Sequence, residues 1–127
     1  MRTRPKRSEY VVEVDGDDPA AFDPAWKAEH LVLAALARCS LASLAHHARK
    51  DGLSVEADAQ ARGVVSLRDD GGWGFVEIEC AVDAWLDPEP PDPRDLLARA
   101  ERGCFIGASL DPPPRYIWTI NDLRAPS

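Results

Sequence analysis

Three cysteines, Cys39, Cys80 and Cys104, hold the most reactive side-chain chemistry in this chain. A thiolate can serve as a nucleophile, a disulfide partner or a peroxide target, and its surroundings decide which. Cys80 alternates with Val76, Ile78 and Val82, the apolar side of a strand pattern, and reads as a small core residue. Cys39 lies inside "LVLAALARCSLASLA", residues 31–45, a nearly unbroken apolar run interrupted only by Arg38, Ser40 and Ser43. It is either core packing or a reactive thiol around which the helix is built. Cys104 follows Gly103 at a break between two helical stretches, where unpaired backbone N–H groups can stabilise a thiolate. Cys39 and Cys104 would form a redox pair if their helices pack together, which spacing alone leaves open.

Other chemistries find little support. An odd cysteine count with no signal-peptide pattern argues against a structural disulfide framework. There is no CxxC pair, and His46 and His47 are adjacent, so on a helix they point about 100° apart. No Cys/His spacing suggests a metal, and no glycine-rich phosphate loop or dinucleotide fingerprint occurs. The formal net charge of -7 disfavours nucleic acid as a partner. The residue 31–45 run is too short for a membrane span and contains Arg38. A soluble, cytoplasmic protein without cofactor or membrane partner is the expectation.

The elements that must position these thiols can be read from periodicity. With 127 residues, 45% of them hydrophobic, the chain suits one domain, residues 1–127, with a basic segment at 1–7 expected to be a mobile tail. "SEYVVEV" predicts a strand. Asp23-Pro24 predicts a helix start, with Asp as N-cap and proline at the first helical position, and the helix runs to Lys50 before a stop at Gly52. It is apolar nearly all round, which calls for burial on most sides and hence for a partner subunit. Val55, Ala57, Ala59 and Ala61 alternate with polar residues, then "RDDGGWG" turns the chain into a second alternating strand. Asp92-Pro93 predicts another helix, carrying Leu96, Leu97 and Ala100. "CFIGASL" adds a helical turn, and "RYIWTIN" is a last strand. The fold class is α+β, with helices segregated from an antiparallel sheet.

These residues resemble a known family. "AEHLVLAALARCSLASLAHHARKDGLSVE" is similar to the central helix of the OsmC/Ohr family of thiol peroxidases, and "RAERGCFIGASL" to that family's second cysteine stretch. The element order agrees, and the resemblance covers residues 26–120. It implies an OsmC-like fold, with a long buried central helix and a second cysteine-bearing helix, built as an intertwined homodimer. It also implies a mechanism. Cys39 would attack the O–O bond of an organic hydroperoxide, Cys104 would resolve the sulfenic acid as a disulfide, and a dithiol reductant, in the better-known members a lipoylated protein, would restore both thiols. Glu29 matches the family glutamate that orients an activating arginine. It precedes Cys39 by about 15 Å of helix, so it would serve the partner subunit's cysteine. Leu36, Phe105 and Trp26 are expected to line the substrate mouth.

The chain departs from the family pattern in three places. Lys27-Ala28 stands where Asn-Pro is usual, the N-terminal region has room for one strand rather than two or three, and the arginine-bearing turn has no match, leaving Arg7 and Arg38 as stand-ins. Two rival readings follow: a non-catalytic OsmC-like dimer that binds a small apolar ligand or senses thiol stress, and a structural dimerisation module with inert cysteines.

Overall fold

The computed structural model describes residues 7–16 and 22–124. Most of the basic N-terminal segment, including Arg2, Arg4 and Lys6, lies outside the described residues. The elements run β1 (Ser8–Asp15), α1 (Ala28–Lys50), β2 (Ser54–Leu67), β3 (Trp73–Asp87), α2 (Arg94–Gly103), α3 (Phe105–Ala108), β4 (Arg115–Ile120) and β5 (Leu123–Arg124).

All five strands join one sheet in the order β1-β2-β3-β4-β5. The long β2–β3 hairpin pairs antiparallel as expected, with one register shift between Val64 and Val65. Its alternation sets the faces: Ala59, Ala61, Ile78, Cys80 and Val82 are buried beneath the helices. The opposite face is wet and ion-paired, with Arg62 reaching Glu9 at 2.8 Å and Glu77 at 3.5 Å.

The expected all-antiparallel sheet needs correction. β4 pairs parallel to β3, Cys80 opposite Tyr116 and Val82 opposite Trp118. A parallel partner requires a long crossover, and α2 with α3 is that crossover. The chain therefore crosses back over one face and adds β4 to the free edge of β3 in the same direction, rather than by a hairpin. The short strand β5 was not anticipated either. It follows a tight turn at Asn121 and Asp122, both at positive φ (51° and 66°), a conformation these side chains tolerate better than most. The Asn121 amide also brackets Leu86, accepting from its N–H at 2.8 Å and donating to its carbonyl at 3.1 Å.

The ends of α1 are built differently from one another. Asp23-Pro24 does not start the helix: the Asp23 carboxylate accepts from the Ala25 N–H at 2.8 Å and its carbonyl from the Trp26 N–H at 3.0 Å, closing a turn. The helix begins at Ala28, with the His30 Nδ1 accepting the Lys27 N–H at 2.9 Å. Its end follows the expectation. Gly52 adopts φ 78°, donating to the Arg49 carbonyl while Leu53 donates to that of Ala48, the paired bonds of a Schellman stop.

Leu33, Leu36, Ala37, Ser40, Leu41, Ser43, Leu44 and Ala48 of α1 are buried. By length and apolarity α1 could cross a membrane, yet 44% of its most apolar window is covered by the rest of the chain, as in a core helix. The remaining face stays open in the single chain, with Leu31 43% exposed.

Candidate active site

Consecutive residues of α1 do different work. Ser40 points into the core at 1% exposure, while Cys39, one position earlier, turns about 100° to the flank and is only part-buried. Cys104 ends α2 and begins α3 at once, with extended backbone (φ -85°, ψ 96°) and a side chain at 0% exposure. Because α2 and α3 lie against α1, the two free thiols become neighbours, each acting on the ionisation of the other.

The first turn of α3 supplies backbone donors to both. The Gly107 N–H points to the Cys104 Sγ at 3.4 Å, and the N–H groups of Ile106 and Phe105 act on Cys39. A Cβ at Gly107 would sit 2.6 Å from the Tyr116 hydroxyl and 3.5 Å from the Cys104 sulfur, so only glycine lets them close over this backbone.

Three side chains that the sequence reading did not assign to the site surround Cys104. Ser40 Oγ lies 3.6 Å from the Cys104 Sγ and donates to the Tyr116 hydroxyl at 3.3 Å. The Cys80 thiol donates to the same Ser40 Oγ at 3.7 Å. Tyr116 in turn acts on Cys104, favouring its ionised form. The interruption of the apolar run at Ser40 was the available clue; Tyr116 left none, because only the parallel return of β4 brings it here.

This environment separates the two thiols electrostatically. Burial pushes Cys39 up; the Ile106 N–H partly offsets that, but the neighbouring Cys104 adds to the rise. Burial pushes Cys104 up too, yet hydrogen bonds from Tyr116, Gly107, Ser40 and Cys39 outweigh it, and Cys104 is lowered. Tyr116 is raised by burial and by the Cys104 charge, so it keeps its proton to donate. Cys80 is pushed up to about 11 by burial and stays a neutral core thiol.

The other expected site residues are scattered. Phe105 is next to Cys104 and 76% exposed, flanking the sulfurs with part-buried Ile106. Leu36 is fully buried in the core, and Trp26 packs at the core's edge with its ring 5.6 Å from that of Phe22. Glu29 lies in the first turn of α1, far along the helix from Cys39. Arg7 pairs with Glu77 at 3.6 Å on the outer sheet side. Arg38 and Arg49 line a separate cavity with Val14, Leu41 and Val55. Among the described residues, no arginine figures among the groups that act most on Cys39, and no group of three or more His, Cys, Asp or Glu side chains could hold a metal ion.

Curated protein sequences give no significant match. Among solved structures, an organic hydroperoxide resistance protein from Elizabethkingia anophelis shares 17% identity and superimposes with a TM-score of 0.60, over 94% of this chain and 98% of that one. OhrB of Bacillus subtilis, an organic hydroperoxide resistance protein, shares 17% identity with a TM-score of 0.54, over 90% and 98%. At such identity these likenesses establish the fold. A family model described as OsmC-like protein matches residues 9–118, from β1 through both cysteine-bearing segments into β4, and the chain belongs to that family.

Proposed function

We propose that this chain is a cysteine-based peroxidase that reduces organic hydroperoxides to alcohols. The observation that supports the reading is the pairing of a part-buried thiol, Cys39, with a neighbouring buried one, Cys104, that acts on its ionisation, in a fold shared with organic hydroperoxide resistance proteins. The Cys39 sulfur attacks the outer oxygen of the peroxide, the O–O bond breaks, and the alkoxide leaves as alcohol after taking a proton. Cys39 becomes a sulfenic acid. The Cys104 thiolate then attacks the Cys39 sulfur and expels hydroxide, closing a disulfide. Exposed Phe105 favours an apolar peroxide. A dithiol, of the lipoylated-protein class, returns two electrons.

Cys39 must lose its proton before it attacks. Among the described residues, the neighbouring Cys104, held below the usual thiol value by its hydrogen bonds, is placed to accept it. The working unit we propose is a cytoplasmic homodimer, in which a second copy covers the open face of α1 and Glu29 serves the site of the other chain. That copy is the natural source of a cation for Cys39.

The raised Cys39 thiol, with no arginine among the described residues figuring in the groups that act most on it, favours a second reading, a non-catalytic dimer that binds an apolar ligand or senses thiol stress. Steady-state consumption of cumene hydroperoxide with dihydrolipoamide separates the two. Turnover that disappears in Cys39→Ser supports the peroxidase; no turnover in wild type sinks it.

A further inference from the structure

The surroundings of Cys104 bear on the half of the cycle in which the disulfide is reduced, and this inference rests on the Cys39–Cys104 pair proposed above. Cys104 has 0% exposure, whereas Cys39 is part-buried at the surface of α1. An incoming thiol can therefore reach one sulfur of the disulfide and not the other. Attack on Cys39 expels Cys104 as a thiolate into the core, a place hostile to charge unless donors wait there.

Donors do wait there. The Gly107 N–H lies 3.4 Å from the Cys104 sulfur and Ser40 Oγ 3.6 Å from it. The Tyr116 hydroxyl closes the same group: it accepts from Ser40 at 3.3 Å and lies, like the Cys104 sulfur, against the Gly107 backbone. Ser40 has one proton, which it gives either to Cys104 directly or to Tyr116. In both arrangements the Gly107 N–H still donates to the sulfur, and the Tyr116 hydroxyl keeps its own proton to turn toward it. Cys80 fills the Ser40 lone pair at 3.7 Å, which turns the serine proton outward to the other two.

We infer that Ser40 and Tyr116 are positioning residues that hold Cys104 as the leaving thiolate, so that the reductant forms its mixed disulfide on Cys39. In the first step a thiolate of the dithiol bonds to the Cys39 sulfur, the Cys39–Cys104 bond breaks, and the electron pair remains on Cys104. In the second, the reductant's other thiolate attacks its own bound sulfur, releasing Cys39 as a thiolate and the reductant as a disulfide. A leaving thiol that is readily ionised departs faster, which is what these hydrogen bonds provide.

The test needs no peroxide. Wild-type protein is oxidised with diamide, mixed with excess 2-mercaptoethanol, quenched with acid at early times, alkylated and mapped by peptide mass spectrometry. The expected adduct sits on Cys39, with Cys104 recovered alkylated. Tyr116→Phe, which keeps the ring, should slow reduction of the disulfide about three- to ten-fold at neutral pH. It should also move the thiolate absorbance at 240 nm to higher pH, which a merely structural role would not do. An adduct on Cys104, no Cys39–Cys104 disulfide after diamide, or an unchanged rate and titration in Tyr116→Phe would overturn the inference. Failure to consume hydroperoxide would count against the peroxidase alone and leave this result readable.

Discussion

Cys39 and Cys104 are neighbouring thiols that act on one another, yet one is part-buried on the flank of α1 and the other lies at 0% exposure where α2 gives way to α3. They are neighbours because the crossover from β3 to β4 lays the Cys104 turn against α1. One sulfur lies toward the surface, and the other faces inward to its hydrogen-bond donors.

That asymmetry predicts unequal variants. Cys39→Ser should lower hydroperoxide consumption by at least about a thousandfold, since it removes the proposed nucleophile. Cys104→Ser should still be oxidised once, and dimedone should trap the Cys39 sulfenic acid by mass. Dimedone labelling of Cys39 in wild type but not in Cys104→Ser would contradict the assigned roles.

Cys80 should behave as an inert core thiol. Burial raises it to about 11, so the folded, reduced protein should show no Cys80 reaction with a neutral disulfide reagent at pH 8. The linkage has a definite sign. The folded pKa lies above the usual thiol value of 9.0, so the ionised form is penalised in the fold, and stability falls as pH rises from about 9 through about 11. Cys80→Ala should lessen that alkaline loss in urea titrations.

On the outer sheet face, Asp58 stands in register between Asp15 on β1 and Asp83 on β3. Partial burial, then repulsion from Asp83, Asp15 and Glu13, raises its carboxyl above the usual 3.8. The charged form is therefore the costly one, and stability falls as pH rises from the usual carboxylate range through the raised value. Asp58→Asn should be more stable than wild type at pH 7 and lose the advantage near pH 3. Equal urea midpoints at both pH values would refute it.

α1 and α2 are locked by one short bond, from Ser43 Oγ to the Ala100 carbonyl at 2.7 Å. That carbonyl belongs to the last turn of α2, where intrahelical donors run out. Ser43→Ala should cost about 1–2 kcal/mol by leaving it unsatisfied in a buried place. Gly52→Ala, forcing a Cβ into φ 78°, should cost about 1–2 kcal/mol. Denaturant midpoints check both.

The readable parts of this protein were those with a local cause. Alternation around Cys80 and Ala59 set the hairpin faces, and Gly52 marked the end of α1, because side-chain period and backbone sterics act over a few residues. The start of α1 misled: Asp23-Pro24 carries the chemistry of a helix start, but Asp23 satisfied the Ala25 N–H instead and His30 closed the true end. The parallel β3–β4 pairing was invisible, since it depends on how α2 and α3 route the chain back. Ser40 and Tyr116 were missed for the same reason. They meet only because α1 and β4 face one another across Cys104, and neither residue type declares a role alone.

The central claim is that Cys39 and Cys104 form a redox pair driven by an organic hydroperoxide. Free thiols in the reduced protein, counted anaerobically before and after one equivalent of cumene hydroperoxide, test it most directly. The account predicts a rapid fall from three thiols to one, with the disulfide mapped to Cys39 and Cys104 and Cys80 left free. Three thiols persisting unchanged over many minutes would contradict it.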